Sequence, residues 1–324
     1  MNWPSLHDDF FRGSRALVTG GAGFIGSHLS HALAELGAKV VVIDDLSGGS
    51  KENLAPGAEF IEASILDGRA VTRAVAGCRF VFHQAALGSV PKSIEEPRKY
   101  SDVNTTGTLN ILESARVAGV QRVTFAASSS FYGDLAADQA KVETMPANPR
   151  SPYAATKAAG EALMTAYACA YGLDTVSLRY FNIFGPRQNA NSAYAAVIAA
   201  FAKAMLAGEP PTIFGDGSQS RDFTFVANAV QANLLAARST TPLKGEVINV
   251  ATGHSVTVNE LAMKMSAIFG PSIKPPRYAP IRAGDVLHSL ADITKAKSLL
   301  GYQPLVIFDE GLKQTVEWYR QNQN

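Results

Sequence analysis

The sequence feature that most constrains the fold is the glycine-rich segment TGGAGFIG at residues 19–26. It lies between the β-branched run ALVT at 16–19 and an amphipathic segment at 24–37 that ends on Gly37. A second β-branched run, KVVVID, follows at 39–44. This order predicts a strand, a tight turn, a helix and a second strand, the repeating unit of parallel sheets.

The glycines of this turn predict a dinucleotide site. Gly20, Gly23 and Gly26 permit a sharp turn and let the backbone approach a pyrophosphate closely. Phe24 and Ile25 begin the predicted helix, where free N–H groups and the helix dipole favour phosphate. The strand on one side and the helix on the other make this motif far more specific than glycine spacing alone.

Asp44 indicates which dinucleotide is bound. It ends the second predicted strand, about 20 residues beyond the glycines, where an acid accepts hydrogen bonds from the adenosine ribose. Because a carboxylate there repels a 2′-phosphate, the sequence predicts NAD rather than NADP.

The next segments extend the same alternation. Strand-like runs at 59–65, 79–86 and 174–181 alternate with helical segments at 104–120 and 152–172. Strands and helices at this spacing predict an α/β fold with a Rossmann-type, doubly wound parallel sheet.

The regular alternation of strands and helices ends after residue 181, and loop-like and short strand-like segments follow. We therefore expect an NAD-binding Rossmann domain at 1–181 and a smaller mixed α/β lobe for the substrate at 182–324. A strand near 222–252 is expected to return to the main sheet.

Composition limits the classes of function. The net charge is +1, which gives no electrostatic footprint for nucleic acid or an anionic membrane. No apolar run approaches the roughly 20 residues that span a bilayer, and the N-terminal segment lacks the apolar stretch of a signal peptide. Cys78 and Cys169 have no metal or redox spacing, and the histidines form no cluster, so no metal is predicted. A cytoplasmic location is expected.

Tyr153 and Lys157 form a candidate acid/base pair. They stand four residues apart at the start of a predicted helix that Pro152 begins, so they project from one face. A neighbouring ammonium stabilises a phenolate, and this makes Tyr153 a candidate base for a substrate hydroxyl.

Five motifs together resemble those of the extended short-chain dehydrogenase/reductase family. They are TGGAGFIG, HQAA, the serine run before a Tyr-Gly turn, Y-x-x-x-K and RYFN, in the family's order and spacing. The segments HQAALGSVPKSI, SRDF and HSLAD are most similar to NAD-dependent UDP-sugar 4-epimerases, especially those acting on UDP-N-acetylglucosamine. The resemblance implies a small C-terminal lobe that binds a nucleotide sugar, and a homodimer formed through the helices near 104–118 and 153–171.

The resemblance also assigns roles to the serine run. Ser128 occupies the family's catalytic position and would orient the reacting sugar oxygen for Tyr153. Sugar 4,6-dehydratases carry Asp-Glu at the next two positions, where this chain has Ser129 and Ser130. Without these carboxylates, oxidation at C4 followed by re-reduction from the other face is expected, with hydride stored on NAD.

The remaining site residues follow from the resemblance. The cofactor would contact the residues already named and six others: Ser64, Ile65, Ala85, Ala86, Asn104 and Tyr180. The UDP-sugar would contact Lys92, Ser128, Ser129, Ser130, Asn182, Val197, Arg221, Arg282, Asp285 and Ser289. One departure stands out, because Ala63-Ser64-Ile65 replaces the family's Gly-Asp-hydrophobic triplet at the adenine.

The identity of the sugar depends on Ser289. In similar epimerases a bulky residue at this position excludes N-acetylated sugars and a small one admits them, so Ser289 predicts UDP-N-acetylglucosamine and UDP-N-acetylgalactosamine. Three alternatives stay open at this stage: a UDP-glucose/UDP-galactose 4-epimerase, a nucleotide-sugar dehydratase or reductase, and a non-catalytic NAD-binding regulator.

Overall fold

The computed structural model describes residues 1–136, 139–190, 196–281 and 286–322. Its strands are β1 Arg15–Thr19, β2 Lys39–Asp44, β3 Glu59–Glu62, β4 Phe80–His83, β5 Arg122–Ser128, β6 Thr175–Tyr180, β7 Ile183–Phe184, β8 Thr212–Phe214, β9 Ser220–Arg221, β10 Thr224–Phe225, β11 Glu246–Val250, β12 Val256–Thr257, β13 Arg277–Ala279 and β14 His288–Ser289.

Helices connect most of these strands. They are α1 Pro4–His7, α2 Phe24–Glu35, α3 Gly68–Val75, α4 Val90–Glu95, α5 Pro97–Ser101, α6 Gly107–Val117, α7 Pro152–Tyr171, α8 Val197–Leu206, α9 Val226–Arg238, α10 Val258–Phe269, α11 Thr294–Leu300 and α12 Phe308–Gln321. Short 3₁₀ segments at Lys51–Asn53 and Ser129–Tyr132 and a π-helical turn at Asp102–Thr106 complete the set. None of the helices within the described ranges is long and apolar enough to cross a membrane.

A seven-stranded parallel sheet forms the centre of the molecule. Its strand order is β11-β6-β5-β4-β1-β2-β3, with β1 between β2 and β4. The order reverses direction beside β1, which places a crevice at the carboxyl ends of the strands. The predicted fold class, an α/β fold with a doubly wound Rossmann-type sheet, is confirmed.

Successive side chains of a strand point to opposite faces of the sheet, and here both faces are covered by helices. In β1, Ala16 and Val18 pack into a core with Leu29 of α2 and Val230 of α9. Leu17 points to the opposite face, into a second core built with α3, α6 and α7. Strands that are buried on both faces are apolar at nearly every position, as RALVT and KVVVID are.

Within the described residues, the chain leaves the sheet after β6 and returns to it with β11. Strand β11 pairs in parallel with β6, from Glu246 opposite Val176 to Val250 opposite Tyr180. The other late strands form three small sheets, β7 with β10, β8 with β13, and β9 between β12 and β14. Helices α8, α10 and α12 pack with one another and complete a smaller α/β lobe.

The segment before β1 packs against the main core rather than extending from it. Trp3 and Phe11 are buried, and Phe11 contacts the ring of Phe80 in β4 edge-on. The His7 ring shares a 2.8 Å hydrogen bond with the side-chain oxygen of Gln231 in α9. These contacts fasten the N-terminal segment to both β4 and α9.

Candidate active site

A cavity of about 760 Å³ opens at the carboxyl ends of the central strands. Its walls are formed by the glycine turn, the ends of β2 and β4, the start of α7 and the small lobe. The cavity is also lined by the 3₁₀ segment after β5, which we call the serine turn. It brings together most of the predicted site residues: Gly20, Gly23, Phe24, Ile25, Gly26, Asp44, Ile65, Ala85, Ala86, Lys92, Ser128, Ser129, Ser130, Tyr153, Lys157, Tyr180, Asn182, Arg221 and Ser289.

The glycine turn has the close packing that the sequence predicts. A Cβ on Gly26 would lie 2.1 Å from the Gly20 carbonyl oxygen, and one on Gly20 would lie 2.8 Å from the backbone of Ala85. Gly20 also has a φ of 67°, in the left-handed region that glycine tolerates. Helix α2 begins next to this turn, and no side chain caps its N-terminus. Its free N–H groups therefore suit a phosphate at the cavity wall.

Asp44 is fixed beside the glycine turn by two backbone groups. One carboxylate oxygen accepts from the Ala22 N–H at 2.9 Å, and the other accepts from the Leu46 N–H at 2.8 Å. Burial raises the pKa of Asp44, and these two hydrogen bonds counteract the rise. Each carboxylate oxygen has further acceptor capacity, so a ribose diol can still donate to the group.

Two of the predicted cofactor residues do not line the cavity. The Ser64 hydroxyl accepts from the backbone N–H of Leu66 at 3.2 Å, within its own turn. Asn104 is buried, and its amide holds both backbone groups of Leu87 and the Thr156 hydroxyl. Asn104 thus shapes the cavity from behind the wall.

Ser128, Tyr153 and Lys157 all line the cavity. Ser128 ends β5, and its hydroxyl accepts from both the backbone and the side chain of Ser130, at 3.2 and 2.9 Å. Tyr153 and Lys157 lie in the first turns of α7, which Ser151 caps by accepting from a backbone N–H. Lys157 Nζ donates to the Ala126 carbonyl at 2.7 Å, which anchors the lysine to β5.

Burial shifts the pKa of the tyrosine and the lysine in opposite directions. It raises the pKa of Tyr153, and a hydrogen bond with Ser128 works against this rise. It lowers the pKa of Lys157 to about 7, and the negative charge of Glu161 works against this fall. Both shifts favour the neutral forms of the two side chains. A cationic ring bound nearby would oppose the shift at Tyr153 and favour its phenolate.

The predicted cofactor residue Tyr180 belongs to a polar cluster in the same cavity, together with two residues that were not predicted. The Tyr180 hydroxyl donates to Gln84 at 3.0 Å and accepts from Asn233 at 2.6 Å. Asn233 lies in α9, far from the other two residues in sequence. Burial raises the pKa of Tyr180 to about 12, which keeps it a neutral wall residue. Gln84 lies in the HQAA motif and Tyr180 in the RYFN motif, whereas the sequence pattern gives no sign of Asn233.

A second cavity, of about 420 Å³, continues the first one into the small lobe. Asn182, Ile183 and Arg221 line both cavities, and Val197 lines only the second. Arg221 lies on β9 and donates to the Leu287 carbonyl at 2.9 Å. Together the two cavities form a continuous channel that runs from the glycine turn to the lobe.

Ser289 faces the first cavity from β14. It is 4% exposed and pairs in register with Arg221 of β9. Its small side chain leaves space where a larger residue would project into the cavity. The predicted residues Arg282 and Asp285 lie outside the described residues.

The chain is similar to known nucleotide-sugar enzymes over most of its length. Residues 16–251 match the model of the NAD dependent epimerase/dehydratase family. A putative UDP-glucose 4-epimerase of Methanocaldococcus jannaschii is 40% identical over 317 residues, which cover 94% of this chain and 98% of the relative.

Two solved structures are similar over almost their whole length. A UDP-N-acetylglucosamine 4-epimerase from Methanobrevibacter ruminantium, in complex with UDP-N-acetylmuramic acid, has a TM-score of 0.91 and 40% identity; the match covers 96% of this chain and 99% of that one. A Thermus thermophilus UDP-glucose 4-epimerase in complex with NAD has a TM-score of 0.87 and 38% identity, with 94% and 99% covered.

Proposed function

The chain belongs to the NAD dependent epimerase/dehydratase family, and its relatives include UDP-sugar 4-epimerases. We propose that it interconverts UDP-N-acetylglucosamine and UDP-N-acetylgalactosamine. The observation that carries this choice is Ser289, a small buried residue in the cavity wall close to the serine turn. A UDP-glucose/UDP-galactose 4-epimerase is the second candidate, and similar proteins of that name favour it.

NAD is the cofactor, and the residues of the first cavity fit it. The uncapped start of α2 and the glycine turn suit its pyrophosphate, and Asp44 suits the adenosine ribose. Ile65, Ala85 and Ala86 supply apolar contacts along the same wall. When bound, NAD supplies the reversible oxidation and reduction at the sugar carbon.

Tyr153 is proposed to move the proton. Its Oη accepts the proton of the sugar 4-hydroxyl and returns it to the same oxygen in the reverse half of the cycle. Ser128 orients that oxygen, and the charge of Lys157 stabilises the phenolate from one turn further along α7.

The small lobe is proposed to hold the nucleotide. Arg221 is suited to a diphosphate by its planar, charged fork, and Asn182 and Val197 line the channel beyond it. Lys92 would contact the substrate from α4. Arg282 and Asp285 remain candidates for the diphosphate and uridine on resemblance alone. A nucleotide gripped firmly in this way leaves the sugar free to turn over between its two reactions.

The serine turn argues against a dehydratase. Elimination of water needs a carboxylate acid or base beside the sugar, and Ser129 and Ser130 supply none. Among the described residues that line the first cavity, the carboxylates are Asp44 and Asp45, at the end of β2. Strand β2 stands three positions from β5 in the sheet, so these acids face the cofactor half.

We also propose the larger organisation that the sequence suggests. Residues 1–181 would form the NAD-binding part and 182–324 the nucleotide-sugar lobe, with β11 returning to the sheet. Leu109 and Val117 of α6 and Tyr171 of α7 are exposed, which supports a homodimer through these two helices. Light scattering on the purified protein tests the dimer, and a monomer at micromolar concentration contradicts it.

The test of function is interconversion of the two UDP-N-acetylhexosamines without added NAD, followed by chromatography. Ser289→Tyr should abolish turnover of UDP-N-acetylglucosamine and spare UDP-glucose, because the phenol ring fills the space for the acetamide group. Ser298→Tyr on the exposed face of α11 is the matched control.

Two results would contradict these proposals separately. Equal survival of both activities in Ser289→Tyr refutes the role of Ser289. An absence of activity on every UDP-hexose, with NAD bound to the protein, refutes the epimerase itself.

A further inference from the structure

Lys141 is a buried lysine that has no role in the reaction described above. Its relative exposure is 1%, and it lines the first cavity beside the serine turn. Its backbone is fixed by an isolated parallel bridge to Ala291, in which the Lys141 N–H donates to the Leu290 carbonyl at 2.8 Å. The residue is therefore held next to the segment that carries Ser289.

The ammonium group of Lys141 has donors to spare. Among the described residues, the hydrogen-bond partner of Nζ is the Gly133 carbonyl, at 3.0 Å. Gly133 directly follows the 3₁₀ turn Ser129–Tyr132. An ammonium has three N–H donors, and a buried one is costly unless its donors find acceptors. An acceptor within the cavity would satisfy the remaining donors.

The protein supplies little compensating charge at this point. Asp134 is the neighbouring acid, and one of its oxygens already accepts from the Leu287 N–H at 2.7 Å. Burial, and to a lesser extent the positive charge of Arg221, lower the pKa of Lys141 to about 8, and the charge of Asp134 opposes this fall. The site is therefore electropositive and suits an oxygen acceptor.

We propose that Lys141 is a further substrate-binding residue, which donates a hydrogen bond to an oxygen of the hexose. This inference rests on the proposed function, since it assumes a UDP-hexose in the channel. The position of Lys141 between the serine turn and the Ser289 segment places it at the hexose rather than at the nucleotide. The acceptor is a ring hydroxyl or the carbonyl oxygen of the acetamide group.

The experiment compares three ligands on NAD-loaded protein in which Tyr153→Phe slows turnover. Calorimetry measures the dissociation constants of UDP, UDP-glucose and UDP-N-acetylglucosamine with and without Lys141→Met. We expect binding of the UDP-hexose to weaken about tenfold or more, as for loss of a charged hydrogen bond, and binding of UDP to change less than twofold. Lys141→Arg should recover part of the loss, and Lys203→Met on α8 is the exposed control.

Each pattern of binding has one meaning. Weakening of both UDP-hexoses identifies a hydroxyl acceptor, and weakening of UDP-N-acetylglucosamine alone identifies the acetamide. Equal weakening of UDP and the hexoses, or no weakening at all, overturns the inference. Lys141→Gln keeps a donor for Gly133 without the charge, so it serves if the methionine variant does not fold. The separate assay of interconversion, with Tyr153 intact, tests the proposed function independently of this binding.

Discussion

The buried ion pair between Glu161 and Arg179 offers the most direct test of how the catalytic helix is held. Glu161 lies in α7, one turn beyond Lys157, and Arg179 lies in β6. The guanidinium donates to both carboxylate oxygens, at 2.9 and 2.7 Å, and the two side chains are 3% and 5% exposed. Arg179 also lies over the ring of Phe131, 3.5 Å from its centre, and so links α7 to the serine turn.

Glu161→Gln should lower the free energy of unfolding by about 3–5 kcal/mol, because it leaves the Arg179 charge buried without a partner. That loss is a large share of the roughly 5–15 kcal/mol that stabilises a typical protein. The double variant Glu161→Leu with Arg179→Met replaces both charged side chains by apolar ones of similar volume. It should cost less than Glu161→Gln alone, although it has two substitutions.

Urea unfolding of the cofactor-free protein, followed by tryptophan fluorescence, measures these differences. The matched control is Asp309→Asn, which breaks the exposed pair between Lys264 and Asp309 and should cost less than about 1 kcal/mol. Equal slopes against urea concentration are needed for the comparison. Two results would refute a stabilising role of the pair: a cost of Glu161→Gln no larger than that of the control, or a cost of the double variant equal to the sum of the costs of Glu161→Leu and Arg179→Met measured singly.

Three further predictions concern the site and the core. Tyr153→Phe should lower kcat about 10²–10⁴-fold while NAD stays bound. Steady-state rates measure the loss of kcat, and the absorbance of the released cofactor measures bound NAD. A smaller loss of kcat would assign the proton transfer to another group. Phe11→Ala should cost about 3–5 kcal/mol in urea unfolding, because it empties a buried site between the N-terminal segment and β4, and a cost below 1 kcal/mol contradicts that packing. The pKa of Lys157, lowered to about 7 from a usual value near 10.4, means that the unfolded chain binds an extra proton between these two pH values. Stability of the cofactor-free protein should therefore gain from Lys157 as pH rises from 7 to 10, and Lys157→Met should reduce that slope in unfolding curves at pH 7 and 9.

The sequence predicts those parts of the molecule that local patterns encode. The sheet follows from apolar runs such as KVVVID. The glycine turn follows from spacing, because close approach of the backbone restricts both Gly20 and Gly26 and a left-handed φ further restricts Gly20. The close grouping of Ser128, Tyr153 and Lys157 agrees with a site at the carboxyl ends of parallel strands.

Pairings between distant segments had no such signal. Lys141 stands in the polar segment AKVET, where a lysine usually marks a solvated loop, but it is buried by contacts with distant residues, among them the bridge to Ala291 and a hydrogen bond from Asn249. Ser64 is expected at the adenine because of its place in a motif, and its hydroxyl accepts from the nearby Leu66 N–H, as serine hydroxyls in turns often do. In both cases the partner, rather than the residue type, decides the environment.

The return of β11 to the sheet also has a consequence for how the protein is made. During synthesis β6 leaves the ribosome with one edge unpaired, and its neighbour β11 follows only after residues 181–245. An unpaired edge strand is a template for wrong pairing, and contacts so distant in sequence form slowly. Much of the small lobe must therefore be synthesised before β11 can pair with β6 and complete the central sheet. Chaperone demand and aggregation of fragments should be greatest for chains that stop between β6 and β11.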